Sequence, residues 1–297
     1  MEILMTAPPD LVPLAALSAS LSGLVAATAP SIVAVHSHRV RSSGFLWKPG
    51  LIVIADEALA EEGDVTVTLA GGRQVSAKVA GRDPTTDVAL LRAETSDAPA
   101  AALSDAVPPV GALAVTIGGR DGEALAALGL VATSGPAWRS MRGGEIAARI
   151  ELELSLRRQA EGGLALDASG RAFGMTVFGP RRRVIVIPAA TIARVAAQLE
   201  THGKVARGYL GLGLQPIRLD RDGGVGAMVM SVDADGPGAK AGVHQGDVLQ
   251  AWDGQPIGLV STLLRALGPT SVGKTVALSI RRGGETRTIN LEIGERP

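Results

Sequence analysis

The chain has 297 residues, 46% of them hydrophobic and 20% charged, which suits two ordinary domains and excludes a disordered chain. Lys plus Arg and Asp plus Glu both number 29, so no global basic field draws the protein to nucleic acid or an anionic membrane. Cysteine is absent, which excludes disulfides, thiolate metal sites and cysteine nucleophiles. Aromatics make up only 2%, so the cores must be built from Val, Leu, Ile and Ala.

Residues 1–30 read as an N-terminal helical segment. No charge falls between Leu11 and Val35, and Leu14, Leu17, Leu21, Leu24 and Val25 recur at helical spacing. The expectation is an amphipathic helix lying on the first domain. Ala27-Thr28-Ala29 resembles a signal-peptidase site, but Glu2 and Asp10 precede it and no Lys or Arg does, so there is no convincing export signal. Richness in Ala, Ser and Gly also makes the stretch a weak membrane span.

Residues 31–197 read as a succession of short strands, an all-β-dominated pattern. They are Ser31–Ser37, Ser43–Trp47, Leu51–Ile54, Val65–Leu69, Gln74–Ala80 and Val88–Arg92, then Ala112–Ile117, Leu128–Thr133, Arg149–Leu154, Leu164–Leu166, Ala172–Val177 and Val184–Ile187. Turns such as Ala70-Gly71-Gly72-Arg73 separate them, and strands at this spacing point to antiparallel barrels or a sandwich. Thr191–Glu200 switches to a helical period, His202-Gly203 ends it, and 198–206 serves as a linker. Residues 207–297 form a second unit. A strand is expected at Ala227–Val232, a helix near Ser261–Leu267, and a closing hairpin of Thr275–Arg281 and Arg287–Ile293 around Gly283-Gly284.

"GPGAKAGVHQGDVLQAWDGQPI", residues 236–257, resembles the signature of PDZ domains, in which Gly242 and Gly246 shape a turn, Asp247 anchors it, and Val248 and Leu249 re-enter the core. The resemblance implies an α+β, partly open β-sandwich that captures peptides by adding a strand to a sheet edge. By the same resemblance the carboxylate loop is Tyr209-Leu210-Gly211-Leu212, and Leu263, Leu264 and Leu267 are candidate groove residues; packing of the domain would equally account for those leucines.

Four further stretches, Ala29–Val35, Ser43–Leu46, "DPTTDVALLR" at 83–92 and "QAEGGLALDASGRAFGM" at 159–175, resemble HtrA-type (Deg) serine proteases, as does Val186-Ile187-Pro188. The resemblance implies a trypsin-like double antiparallel β-barrel followed by the PDZ domain. It also implies a triad, in which a serine attacks, a histidine takes its proton, an aspartate orients the histidine, and backbone N–H groups hold the oxyanion. The aspartate position falls on Asp87. The histidine position falls on Glu57, the serine position on Glu161 ahead of Gly162-Gly163, and the flexible glycine of the oxyanion loop on Gln159. None of the four histidines, His36, His38, His202 and His244, stands at the base position.

Ordinary serine proteolysis is therefore expected to be absent, and the protein is read as an HtrA-like pseudoprotease. It would bind protein C-termini or unfolded segments as an adaptor, a chaperone or a regulator of an active relative. Two other readings stand beside it: a hydrolase using Glu57, Asp87 and Glu161, and a metal-binding scaffold at the same carboxylates, since hard cations want such oxygens. A paired-carboxylate glycosidase fits poorly with so few aromatics for a sugar cleft. Bare carboxylates at close range repel by about 4 kcal/mol at ~4 Å, so the cluster should share a proton, hold a cation, recruit an arginine or splay outward. Arg157, Arg158 and Arg41 are the arginines suggested by position, and Arg181-Arg182-Arg183 is expected at a hairpin tip. No cofactor is called for. A homotrimer is compatible with the family, and the periplasm is the compartment that the resemblance implies.

Overall fold

The computed structural model describes residues 12–61, 63–95, 98–219, 224–258, 263 and 266–296. The chain divides into two compact units, one running to Lys204 and the other from Val205.

The first unit opens with α1 (Val12–Thr28). Here the structure corrects the sequence. Residues 13–20 are all exposed, Leu14 to 64%, so the helix does not lie along the domain. The leucines are helically spaced, but small residues, Ala, Ser and Gly, occupy the remaining faces without separating a polar side from an apolar one, so the helix has no apolar stripe to bury. Its last turns alone approach the fold: Leu21, Val25 and Ala26 border a shallow apolar cleft shared with Ala124, Ala126 and Leu128. Pro13–Ser31, 19 residues of mean hydropathy 1.4, is by length and composition able to cross a membrane.

Two closed six-stranded barrels follow. The first comprises β1 (Ile32–Ser37), β2 (Val40–Lys48), β3 (Leu51–Ile54), β4 (Val65–Thr68), β5 (Gln74–Asp83) and β6 (Val88–Ala93), in the order β1-β2-β3-β6-β5-β4. Closure leaves no free sheet edge. Val33, Leu46, Ile52, Ile54, Val67 and Leu91 fill its interior, and each such side chain contributes roughly 1.5–3 kcal/mol when buried. The second comprises β7 (Leu113–Arg120) and β8 (Glu123–Gly135), then a small ribbon of β9 (Trp138–Arg139) and β10 (Glu145–Ile146) that stands apart from it. Its remaining strands are β11 (Arg149–Glu153), β12 (Leu164–Asp167), β13 (Ala172–Phe178) and β14 (Val184–Pro188), in the order β11-β14-β13-β12-β7-β8. Strand β8 starts five residues before the expected Leu128, because "EALAAL" pairs fully along β7.

Helix α2 (Ala189–His202) buries Ile192, Val195, Ala196 and Leu199, as its period requires, against β5 and β6 of one barrel and β13 and β14 of the other. It ends in left-handed Gly203, whose N–H bonds to Leu199 O at 2.9 Å.

The second unit begins with β15 (Gly208–Tyr209), β16 (Leu212–Arg218) and β17 (Val225–Val232). There follow α3 (Pro237–Lys240), β18 (Val248–Trp252), β19 (Gln255–Pro256), β20 (Thr275–Arg282), β21 (Glu285–Glu292) and β22 (Gly294–Glu295). The main sheet runs β16-β17-β18-β20-β21, so β16 is an edge strand. Of the helix expected near 261–267, all but 263, 266 and 267 lies outside the described residues.

Asp247, 1% exposed, holds the turn before β18 as its place in the motif suggests. Its two oxygens take Arg282 Nε and Nη2, both at 2.7 Å, and the His244 N–H at 2.8 Å. Burial pushes this carboxyl up, but the hydrogen bonds and charge of Arg282 outweigh it and hold its pKa below the ordinary value. Arg282→Lys keeps the charge and loses the fork. It is expected to cost about 2 kcal/mol, one charged hydrogen bond, read as a fall in urea midpoint at unchanged slope.

Candidate functional site

The site is built where the turns after β3, β5 and β11 meet. After β3 the chain makes one 3₁₀ turn, Asp56-Glu57-Ala58. Arg82 of β5 fastens this turn: Nε meets Asp56 Oδ1 at 2.5 Å, Nη2 donates to Asp56 O and Leu59 O, and Nη1 donates to Ala60 O, each at 3.1 Å. The turn thus presents the Glu57 N–H to Asp87, whose Oδ1 accepts it at 2.8 Å. The Glu57 side chain points away and meets Arg142 at 3.3 Å. Both side chains are more than half exposed, 53% and 55%, so the pair is worth at most about 1 kcal/mol.

Asp87 sits between β5 and β6 with φ of 58°, a left-handed conformation that Asp tolerates better than most residues. Burial pushes its carboxyl up from the ordinary 3.8 to about 7. The Glu57 N–H opposes that rise, and the charges of Glu57, Glu161 and Asp56 add to it.

Glu161 follows a 3₁₀ turn at Arg158–Ala160. Its N–H donates back to Arg158 O at 3.2 Å, and its carbonyl accepts the Ser43 N–H at 2.7 Å. Buried Ser43 also donates from Oγ to Gln159 O at 2.6 Å and accepts the Gly119 N–H at 2.8 Å, so one hydroxyl pins the whole loop. Gly162 next to it has φ of 86°, and a Cβ there would stand 2.1 Å from Ser43 O, so no other residue fits. The Glu161 carboxylate accepts the Phe178 N–H at 3.2 Å. Burial raises its pKa; the Phe178 N–H, Arg158 and Arg182 pull it down, and Glu57 pushes it up.

Glu57, Asp87 and Glu161 therefore share one electrostatic neighbourhood, each answered differently. Asp87 is inclined to hold a proton, Glu161 has two arginines nearby, and Glu57 turns outward to a third. No group of three or more His, Asp or Glu side chains able to hold a metal ion occurs among the described residues. Of the arginines that position suggested, Arg158 does act on Glu161. Arg41 instead stands 4.0 Å from Asp121. Arg142 and Arg82 carry no motif that marks them, whereas Ser43 lies in a quoted stretch and Arg182 in the basic run; all four reach the site because the barrels close. Arg181-Arg182-Arg183 lies in the turn between β13 and β14, with left-handed φ of 57° at Arg181 and 59° at Arg182.

In the second unit Gly211 has φ of 66°, and a Cβ there would meet Gly236 Cα at 3.0 Å. The Leu210 and Gly211 carbonyls accept the N–H groups of Gly238 and Asp233, at 2.7 and 2.9 Å. Their own N–H groups donate to no acceptor among the described residues. Tyr209 Oη donates to Asp233. Leu210 and Leu263 are buried in the core of the unit, whereas Leu212 and Leu267 are half-buried and keep some surface. Leu264 lies outside the described residues.

The Trypsin-like peptidase domain family matches residues 42–175, and the PDZ domain family matches 208–293. A probable periplasmic serine endoprotease, DegP-like, from Pseudomonas fulva is 30% identical over 270 residues, covering 86% of this chain and 56% of that protein. Its counterpart from Brucella suis is 31% identical over 278 residues, covering 86% and 53%. The chain carries a trypsin-like peptidase domain followed by a PDZ domain and is similar to HtrA-type proteases. It spans about half the length of the curated relatives it matches. Among solved structures, an HtrA-type protease, AlgW, with a decapeptide superposes at a TM-score of 0.71 and 22% identity, covering 93% of this chain and 98% of that one. A serine endoprotease from Yersinia pestis gives 0.72 at 22% identity, with the same coverage. Both likenesses establish the fold: two six-stranded trypsin-like barrels followed by a PDZ domain.

Proposed function

We propose that this chain is a pseudoprotease that works by binding, taking protein C-termini or unfolded segments through its PDZ domain as an adaptor, chaperone or regulator. One observation carries the first half. Glu161 stands at the head of the Gly162-Gly163 turn, at the position that the resemblance assigns to the family's serine. A carboxylate there is no alkoxide source, and Glu57 at the histidine position is paired outward to Arg142.

The oxyanion loop supports the same reading. Stabilising an oxyanion needs N–H groups aimed at the substrate. The Glu161 N–H is already given to Arg158 O, and Ser43 clamps the Gln159 carbonyl. Removal of triad members costs about six orders of magnitude in related chemistry, and the remainder depends on that hole.

The binding half rests on the edge strand β16 and on the Leu210 and Gly211 N–H groups, which have no acceptor among the described residues. A peptide adding to β16 would place its terminal carboxylate against them. Fluorescence anisotropy with a labelled peptide ending in an apolar residue and a free carboxylate tests this. The wild type should bind saturably, the C-terminal amide should bind at least about tenfold more weakly, and Gly211→Val should lose binding because left-handed backbone penalises a β-branched residue. Equal binding of acid and amide would refute a carboxylate loop at 209–212.

The hydrolase reading keeps one observation in its favour: a carboxyl near pKa 7, as at Asp87, is suited to general acid–base work. A proteolysis assay on the wild type and Glu161→Ala separates the two. Partners under the binding reading are peptides, an active HtrA-type relative, and further copies of the chain in a trimer.

A further inference from the structure

Beside the carboxylate cluster, but distinct from it, lies a polar cavity of about 170 Å³ whose walls come from several strands and a loop of the first unit. Strand β1 supplies His36, β4 and β5 supply Thr68 and Gln74, the β7–β8 turn supplies Arg120 and Asp121, and the clamped loop supplies Gln159. Arg41 stands at the mouth. The fixed charges are two guanidiniums against one carboxylate, and Asp121 lies 4.0 Å from Arg41.

The informative residue is Arg120. It is half-buried, yet its side chain makes no hydrogen bond or ion pair with any described residue. A guanidinium carries five N–H donors, and taking part of it out of water without an acceptor is unfavourable. The side chains of His36, Gln74 and Gln159 likewise have no partner among the described residues. Thr68, 8% exposed, makes no bond through its hydroxyl. A half-open pocket thus brings donors from several strands, those of His36 and Gln74 exposed, around the half-buried Arg120 guanidinium.

We propose that this cavity binds a phosphoryl group, either inorganic phosphate or the phosphate of a monoester. Three arguments select that chemistry. The volume is below the ~300 Å³ at which drug-sized ligand sites begin, so a small group fits and a large one does not. Donors arriving from β1, β4, β5, β7 and the clamped loop suit a tetrahedral group with three free oxygens better than a planar carboxylate with two. A guanidinium and a phosphate also form the strongest charge-assisted, bidentate pairing available to these side chains. Because the cavity borders Gln159, its occupant would hold the loop that carries Glu161. The proposal does not depend on the PDZ reading.

Calorimetric titration of the whole protein at fixed ionic strength tests it, using inorganic phosphate, phosphoserine and succinate, with potassium chloride as the control. Phosphate or phosphoserine should bind saturably, whichever is tighter identifying the free ion or the ester as the source. Succinate should bind at least about tenfold more weakly. Arg120→Gln should weaken phosphoryl binding at least about tenfold. Gln74→Ala, which removes a surface side chain and leaves every charge in place, should weaken it a few-fold even if the arginine variant fails to fold. Saturable binding of neither phosphoryl ligand, succinate binding as tightly as phosphate, or phosphoryl affinity unchanged in the folded variants would overturn the assignment.

Discussion

Putting Ser and His back, as Glu161→Ser with Glu57→His, is expected to leave the protein poorly active, and adding Gln159→Gly is expected to raise turnover by about 10²–10³. The double variant returns a nucleophile and a base, and Asp87 already stands in position to orient that base. The backbone still faces the wrong way: the N–H of residue 161 is spent on Arg158 O, and the Gln159 carbonyl is held by Ser43 Oγ at 2.6 Å. A missing oxyanion donor costs roughly 10²–10³ in rate, which sets the size of the expected gain. Glycine at 159 restores the conformational freedom to turn that donor outward. The comparison is read as kcat/KM on a fluorogenic peptide, with casein as the second substrate. Equal rates in the double and triple variants would show that the loop backbone is not part of the loss.

The second large effect concerns Asp87. The unfolded chain releases this proton near pH 3.8, and the folded protein holds it until about pH 7. Stability contributed by the protonated carboxyl is complete below pH 3.8. It declines by about 1.4 kcal/mol per pH unit as pH rises to 7, and is gone above that. The ceiling is about 4 kcal/mol. Asp87→Asn keeps an oxygen to accept the Glu57 N–H and a residue content with φ of 58°, but has no charge to bury. The variant should therefore gain on the wild type by roughly 2–4 kcal/mol between pH 4 and pH 8, a rise in relative Tm of several degrees. Urea titrations at the two pH values measure it. A gap independent of pH would show that Asp87 is ionised throughout.

The general fold is legible in the sequence because barrel strands carry their own signature. Short β-branched runs such as Leu51–Ile54 and Val184–Ile187, broken by Gly-rich turns, cannot be read as helices. Helix α2 is equally plain, since Ile192, Val195, Ala196 and Leu199 form a stripe. Helix α1 departs from expectation because helical spacing of large residues does not by itself make a helix amphipathic, and the small residues between them form no distinct polar face. Strand β16 gave no signal: "LGLQPIR" alternates poorly and contains Pro216, which an edge strand tolerates and a central one does not.

The site divides along the same line. Glu57, Asp87 and Glu161 could be singled out from motifs that surround them. Their partners are harder to see, because they come from far along the chain: Arg142 beside Glu57 and the Phe178 N–H at Glu161, while Arg182, which also acts on Glu161, belongs to a basic run visible in the sequence. Only closure of the two barrels brings these together, and no local pattern encodes it.

The most direct test of a binding-only protein is proteolysis by the wild type itself. Purified protein and its Glu161→Ala variant are incubated with casein and with a mixed peptide library, and new termini are counted by mass spectrometry. The pseudoprotease account predicts no turnover by either protein on any substrate. Cleavage by the wild type that disappears in Glu161→Ala would contradict it, and would establish the carboxylate cluster as a working active site.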